Sequence, residues 1–354
     1  MRSVVYSETG GPEVLRLTEE PVPEPGPGEV RVRVRRSGVN PTDWKSRAGR
    51  GPGRPVDPPQ IPGQDGAGVV EAVGPGVAES WVGLDVWVFE AAWRRRWGTT
   101  SEHTLVRATN LATLPGTASP DRAPYDTASS DGAAYDLGAA LGIPFLTAHR
   151  CLTVGEEGPL RLGPGTLQGR TVLVSGGAGA VGNAAIQLAR WSDATVITTV
   201  SSPQKAQLAA AAGADHVLDY RRQDVHAEVR RIVPGGVDVV VEVNPQANAP
   251  LAARLAAPNA TVATYADDGG GSDVAVPVRA SMVPNLRWQF VLVYTEPAAA
   301  KARAVDDVGA ALLDGAIGVG EAHGLPLHRF PLTEAPEAHA AVERGAVGKV
   351  VIEL

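Results

Sequence analysis

Residues 171–191 constrain this chain more than any other stretch. Thr171-Val172-Leu173-Val174-Ser175 is a short apolar run of the kind that forms a strand buried on both faces. Gly177-Ala178-Gly179-Ala180-Val181-Gly182 follows at once, fits G-x-G-x-x-G, and has Gly176 just before it. Val181, Ala184, Ala185, Leu188 and Ala189 then recur at helical spacing. In a strand–turn–helix of this kind the first glycines let the backbone bend sharply and approach a diphosphate with no Cβ in the way. The last lets helix and strand pack closely. The helix N-terminus then offers free N–H groups and a positive dipole end to the anion. Glycine- and alanine-rich chains also match the pattern by chance, but here the strand and the helix stand where the mechanism requires them.

The alternation continues. Thr195 to Val200 reads as the next strand, and Ser202 can cap a helix with Pro203 in its first turn. Val217-Leu218, Val237 to Val241 and Thr261 to Tyr265 read as further strands. Strand and helix in turn imply a doubly wound parallel sheet, a Rossmann domain over roughly residues 143–288. The segment before it is β-rich. Val30, Val32 and Val34 alternate with Arg31, Arg33 and Arg35, and 68–74 and 86–89 read as short strands between glycine and proline turns, suggesting a small barrel or sandwich. Residues 116–136 and 155–169 read as loops. The tail carries an apolar strand, Phe290 to Tyr294, a helix marked by Ala302, Val305, Val308, Leu312 and Leu313, a short helix near Ala335 to Arg344, and a last strand, Lys349 to Glu353. The tail is expected to return to the first domain.

Length and composition narrow the function. A chain of 354 residues suits two domains. Its net charge of −7 argues against a phosphate-backbone partner, and the basic run Trp93-Arg94-Arg95-Arg96-Trp97 reads as a solvated loop. Cys151 is the only cysteine, which excludes a disulfide framework and any multi-cysteine zinc site. It reads as a buried core thiol. No apolar run reaches membrane-spanning length, and the N-terminus lacks a signal-peptide pattern, so a cytoplasmic protein is expected.

An NAD site places Asp or Glu at the end of the second strand, on the ribose 2′-OH. Here that strand runs into Ser201-Ser202-Pro203-Gln204-Lys205, with no carboxylate. Ser201 offers a hydroxyl and Lys205 a cation, which suits the 2′-phosphate of NADPH. Tyr220-Arg221-Arg222 after the third strand adds donors. The alternative for Lys205 is an exposed helix residue with no ligand.

Several stretches carry a family resemblance. Asn40-Pro41-Thr42-Asp43, Pro62-Gly63-Gln64-Asp65-Gly66-Ala67-Gly68-Val69-Val70, Gly142-Ile143-Pro144-Phe145-Leu146-Thr147-Ala148, Gly213-Ala214-Asp215 and Gly348-Lys349-Val350-Val351 resemble the zinc-independent quinone oxidoreductases, the zeta-crystallin-like family of the medium-chain dehydrogenase/reductase superfamily. The resemblance implies an α/β chain with a GroES-like β-barrel catalytic domain (1–142 and 289–354) around a Rossmann domain (143–288). It also implies bound NADPH and a homodimer. It places cofactor contacts at Asn40, Thr147, Gly176, Gly179, Ala180, Val181, Gly182, Ser201, Lys205, Tyr220, Asn244, Tyr265 and Lys349. Zinc alcohol dehydrogenases of the superfamily carry Cys where Asn40 stands and His-Glu where Gln64-Asp65 stand, so no metal is expected. Zeta-crystallin-like members often carry a tyrosine near Lys45 that this chain lacks, which leaves substrate choice open.

The implied reaction moves a hydride to a quinone or to the β-carbon of an enone. The oxyanion that develops then needs hydrogen-bond donors. Lys45, Asn40 and Gln64 are the candidates, with Asp43 orienting; Lys45 reads equally as an exposed loop residue. Phe290 to Tyr294 is expected to border the nicotinamide and the pocket, or else to be core. The rival readings are an enoyl-thioester or ring reductase of a biosynthetic pathway, and a protein that binds NADPH, or RNA, without turnover. A short-chain dehydrogenase lacks support, because its Tyr-x-x-x-Lys pair is absent.

Overall fold

The structure, a computed structural model, describes residues 1–114, 131–267 and 273–354. These form two compact units, Met1–Ile143 with Leu327–Leu354, and Pro144–Pro326.

The first unit contains β1 (Arg2–Glu8), β2 (Arg16–Glu19), β3 (Glu29–Val39), α1 (Pro41–Ala48), β4 (Pro55–Gln60), β5 (Asp65–Val73), β6 (Asp85–Val88), β7 (His103–Arg107) and β8 (Leu111–Thr113). The period-2 pattern of β3 sets its faces. Val30, Val32 and Val34 are buried with Val70, Val86 and Val106, while Arg31 and Arg33 face outward beside Glu71. β3 lies between β5 and the C-terminal strand, and β7 also pairs with it. β1 joins β2 and β4 in a small separate sheet.

A long helix, α2 (Asp131–Thr153), bends at Gly142, whose φ/ψ of −41°/−106° is not helical, two residues before Pro144. The expected loop at 116–136 is therefore corrected at its end, because 131–136 are helical. Asp136 explains this: its carboxylate accepts from Arg36 at 2.9 Å and Arg329 at 2.6 Å, contacts no local pattern reveals. Residues 116–130 of that stretch lie outside the described residues. Residues 155–169 carry no helix or strand, as expected.

The second unit follows with β9 (Thr171–Ser175), α3 (Ala180–Trp191), β10 (Thr195–Val200), α4 (Pro203–Ala211), β11 (His216–Asp219), α5 (Val225–Ile232), β12 (Val237–Glu242), α6 (Pro245–Leu255), β13 (Ala256–Thr264), α7 (Val278–Met282), β14 (Arg287–Phe290) and α8 (Ala298–Leu313). Its strands are all parallel, in the order β11-β10-β9-β12-β13-β14, the order of a Rossmann sheet. Leu173, Ile197, Leu218, Val240 and Val262 build its core with Val229 and Leu255 from the covering helices.

Two expectations for the tail differ from what is observed. The strand expected at Phe290 to Tyr294 ends at Phe290, and a 3-10 turn occupies Val293–Thr295. The neighbouring strand β13 stops at Thr264, and Val291 N–H to Thr264 O is the last ladder bond, so nothing extends the pairing. Residues 289–326 also group with the second unit, not the first. Asp307 of α8 accepts from His149 at 2.7 Å, Arg161 at 2.6 Å and the Leu162 N–H at 2.7 Å, and Gln187 and Asn183 of α3 bond Gly318 and His323. The chain then returns to the first unit through β15 (Leu327–Pro331), α9 (Ala335–Glu343) and β16 (Lys349–Glu353), which lies antiparallel to β3.

Candidate functional site

In the first unit a buried polar cluster forms where β3 turns into α1. Asn40 precedes the helix with Pro41 in its first turn, a sequence that starts helices. The Asn40 N–H donates to Asp43 Oδ2 at 2.7 Å, closing the start of the helix. The Asn40 amide donates to Asp65 Oδ2 at 2.7 Å, and Lys349 Nζ donates to Asn40 Oδ1 at 2.7 Å and Asp65 Oδ2 at 3.4 Å. Asp65 Oδ1 accepts the Ile143 N–H at 2.9 Å, a donor exposed by the bend at Gly142, where a Cβ would collide with the same carboxylate. All four side chains, Asn40, Asp43, Asp65 and Lys349, are buried.

Burial dominates the electrostatics. It raises Asp65 and lowers Lys349, and their mutual attraction opposes both shifts. Asp43 is pushed up to about 7, first by burial; the Asn40 N–H and Lys349 oppose this, and the charge of Asp65 adds to it. Burial, with Asp43 nearby, pushes the Tyr6 phenol up to about 12. Asp43 Oδ1 and Gln64 Oε1 are buried without a hydrogen-bond partner. The residues Asp43 and Gln64 line a cavity of about 510 Å³ with Tyr6, Ile61 and Trp93. The basic run expected to be a solvated loop also lines this cavity, and its Arg95 and Arg96 are half-buried in ion pairs with Glu29 and Glu20. Lys45 is half-buried on α1 with its ammonium 6.0 Å from the Trp44 ring, and does not line this cavity.

In the second unit the expected cofactor residues gather at one edge. Gly176 follows β9, Ser201 follows β10, Tyr220 follows β11, Asn244 lies two residues past β12, and Tyr265 follows β13. All leave the carboxyl ends of parallel strands, and the glycine turn falls where the strand order reverses, between β9 and β12. Gly176 has φ +72°, a left-handed conformation that favours glycine. A Cβ on Gly182 would strike the Gly176 carbonyl, so the turn closes only with glycine there. Gly179 precedes α3, whose first turn, beginning Ala180 and Val181, holds no acidic residue. Ser202 caps α4 by accepting the Lys205 N–H at 3.3 Å, and Tyr220 N–H bonds Val200 O, which fixes these two strand ends side by side. Lys205 is half-buried and Tyr220 is exposed. Asn244 caps α6 through the Ala247 N–H, and Thr147 is buried on α2. Burial pushes the Tyr265 phenol well above its ordinary range.

The sequence reading passed over several participants. Glu242, buried at the end of β12, accepts from Ser175 at 2.7 Å, the Asn244 N–H at 2.6 Å and Asn248 at 2.9 Å, and so holds the segment beside the glycine turn. A Glu closing an apolar strand was the available signal. Asp65 has no local signal of its partnership with Lys349, which lies 284 residues away.

Comparison with known proteins agrees with this architecture. Residues 26–116 match the family model for the alcohol dehydrogenase GroES-like domain, and residues 180–308 match that for zinc-binding dehydrogenases. The chain is 28% identical to the quinone oxidoreductase of Lama guanicoe, over 100% of this chain and 98% of that protein. A mycobacterial protein solved in complex with NADPH is 29% identical, covers 100% of both chains and superposes with a TM-score of 0.78. The quinone oxidoreductase of Pseudomonas syringae is 26% identical, with a TM-score of 0.79 over 100% of this chain and 99% of that one. A GroES-like unit joined to a Rossmann sheet defines a medium-chain dehydrogenase/reductase. Within that superfamily, the chain belongs to the zeta-crystallin-like quinone oxidoreductase family.

Proposed function

We propose that the chain is an NADPH-dependent reductase that transfers a hydride to a quinone or an α,β-unsaturated carbonyl without zinc. The observation that carries this reading is the glycine turn at the reversal point of the sheet, flanked by Ser201 and Lys205 with no carboxylate at the end of β10. The residues fit the cofactor: at Gly179 a Cβ would meet only the Gly176 carbonyl, at 3.4 Å, so that side of the turn is open to a ligand, and the N–H groups of the first turn of α3 suit a diphosphate. Ser201, Lys205 and Tyr220 suit the 2′-phosphate; Thr147, Asn244 and Tyr265 complete the set.

Bound, NADPH supplies the hydride from nicotinamide C4. The chain's own residues act on the acceptor. Gln64, at the cavity wall, is the donor for the developing oxyanion, whereas Lys45, expected to share that role, does not line the cavity. Asn40 is redirected from the donor role expected of it: its amide is engaged by Asp65 and Lys349, so it positions α1 and Asp43. Lys349, expected at the cofactor, likewise acts through Asn40 and Asp65. Asp43 holds a proton near neutral pH at the cavity wall, where the reduced acceptor needs one.

Zinc does not fit this donor set. Asn40 and Gln64 are amides, and the one carboxylate, Asp65, already receives an ammonium, an amide and a backbone N–H. The reading includes a cytoplasmic homodimer. Val278, Met282, Val283, Phe290 and Leu292 leave apolar surface exposed on and beside the edge strand β14, which supports pairing with a second copy. No helix among the described residues is long and apolar enough to cross a membrane. The test is NADPH oxidation by the purified protein against 1,4-benzoquinone, an enone and an enoyl thioester in parallel. Turnover of the thioester alone points to a biosynthetic enoyl reductase, and binding of NADPH without turnover of any acceptor overturns the proposed activity.

A further inference from the structure

The cavity beside Asp43 has a wall that reduction does not require. Residues 90–97 fold back along it: the Ala91 N–H bonds Gln64 O at 3.1 Å, and the Ile61 N–H bonds Arg96 O at 2.9 Å. Two residues of this segment, Glu90 with φ +54° and Arg94 with φ +55°, adopt the left-handed conformation without being glycine. Such residues are strained and persist where the surroundings hold them.

The three consecutive arginines have different fates. Arg95 pairs with Glu29, and Arg96 pairs with Glu20 while its Nε donates to Pro59 O at 3.1 Å. These two anchor the segment and are neutralised. Arg94 is exposed, and among the described residues no carboxylate pairs with it. Its guanidinium lies 5.4 Å from the centre of the Trp93 indole. Stacking on a ring orients the planar fork while leaving its N–H edges available for a planar anion. The cavity lining therefore carries one unneutralised arginine in a chain of net charge −7, and Asp43 and Gln64 belong to the same lining. A volume of about 510 Å³ falls in the range of drug-sized ligands and exceeds the need of a single bare ring.

We propose that this cavity takes an acceptor bearing an anionic substituent, a carboxylate or sulfonate class of group, which Arg94 receives while the ring lies over Asp43 and Gln64. The inference rests on the reductase reading above and narrows its substrate class. Arg94 is thereby a specificity residue, and Trp93 positions it.

The experiment compares 1,4-naphthoquinone with 1,4-naphthoquinone-2-sulfonate, each in the NADPH-loaded wild type and in Arg94→Ala and Arg94→Gly. Using the variant-to-wild-type ratio for each acceptor removes the intrinsic difference in reducibility between the quinones. Both variants are expected to lower kcat/KM for the sulfonate about threefold to fivefold while leaving the neutral quinone within about 1.5-fold, the upper end of the scale of one exposed charge pair. The sulfonate's loss should shrink between about 20 mM and about 300 mM salt, as screening requires. Arg94→Gly relieves the left-handed strain, so a loss shared by both variants reports charge and not loop shape. Equal effects on the two quinones, or none on the sulfonate, would overturn the proposal. Calorimetric titration of the same proteins with the sulfonate separates the two readings. Arg94-dependent binding without NADPH oxidation supports the anion site and sinks the reductase, whereas turnover of both quinones without Arg94-dependent binding does the reverse.

Discussion

The two candidate sites are built from opposite materials. At the carboxyl edge of the parallel sheet, the glycine turn works through missing side chains: Gly176 supplies a left-handed bend and Gly182 a close approach. In the first unit, the cluster of Asn40, Asp43, Asp65 and Lys349 works through buried charge that is only partly neutralised. A backbone site tolerates neighbouring change as long as its bend survives, whereas a charge cluster fails when one member is removed. The substitutions that follow should separate these behaviours.

The largest effect is expected from Lys349→Met. It strands the Asp65 carboxylate in the interior, and breaking a buried pair from one side costs about 3–5 kcal/mol. Chemical denaturation should show a correspondingly lower midpoint. Adding Asp65→Asn should return much of the loss, since the uncompensated charge is then gone. A Lys349→Met protein as stable as wild type would show that the cluster is not held by charge.

Asp43→Asn comes next and is read through pH. In the unfolded chain Asp43 ionises near its ordinary 3.8, and in the folded protein near 7. Between those values the unfolded chain binds fewer protons than the folded one. Stability therefore falls as pH rises through that window and levels off above it. The amide cannot ionise, so the variant should lose up to about 1.4 kcal/mol per pH unit of that slope. Identical slopes for wild type and variant between pH 5 and 7 would mean that Asp43 is not the group held protonated.

The same contrast explains what could be read from the sequence. The strand–helix alternation and the glycine turn follow from contiguous patterns, Thr171–Ser175 into Ala180–Trp191 and Ser202 before Pro203, because each is settled by residues within a few positions. The domain return through Lys349–Glu353 was legible as a terminal apolar strand. The wiring of Lys349 to Asn40 spans 309 positions and leaves no periodic trace. The helical residues 131–136 are stabilised by ion pairs to Asp136 from Arg36 and Arg329, which lie 100 and 193 positions away in sequence. The arginine run at 94–96 looked solvated because the carboxylates of Glu20 and Glu29 that bury two of its members lie about 70 residues upstream. Charge clusters are assembled by tertiary pairing, and local sequence carries little record of them.

Within the backbone site, Gly182→Ala should weaken NADPH and NADH alike. The added Cβ strikes the Gly176 carbonyl and forces the turn open, and the diphosphate it would hold is common to both cofactors. A loss of about tenfold or more in affinity for each, read by fluorescence quenching, is expected for one displaced charge-assisted contact. Unchanged affinity would show that the turn accommodates a Cβ elsewhere in its path.

Lys205→Ala gives the smallest effect and the most selective one. Lys205 lies in the first turn of α4, half-buried, with its backbone N–H already bound by Ser202. Removing the side chain therefore leaves the cap intact and deletes only the cation near the strand ends of Ser201 and Tyr220. A single charge-assisted contact to a partly exposed phosphate is worth about 1.4 kcal/mol, so the KM for NADPH should rise about tenfold. NADH has no 2′-phosphate and should be little changed. An equal rise for both cofactors would assign Lys205 to the fold of α4, and the selectivity for NADPH would then have to come from Tyr220, Arg221 or Arg222.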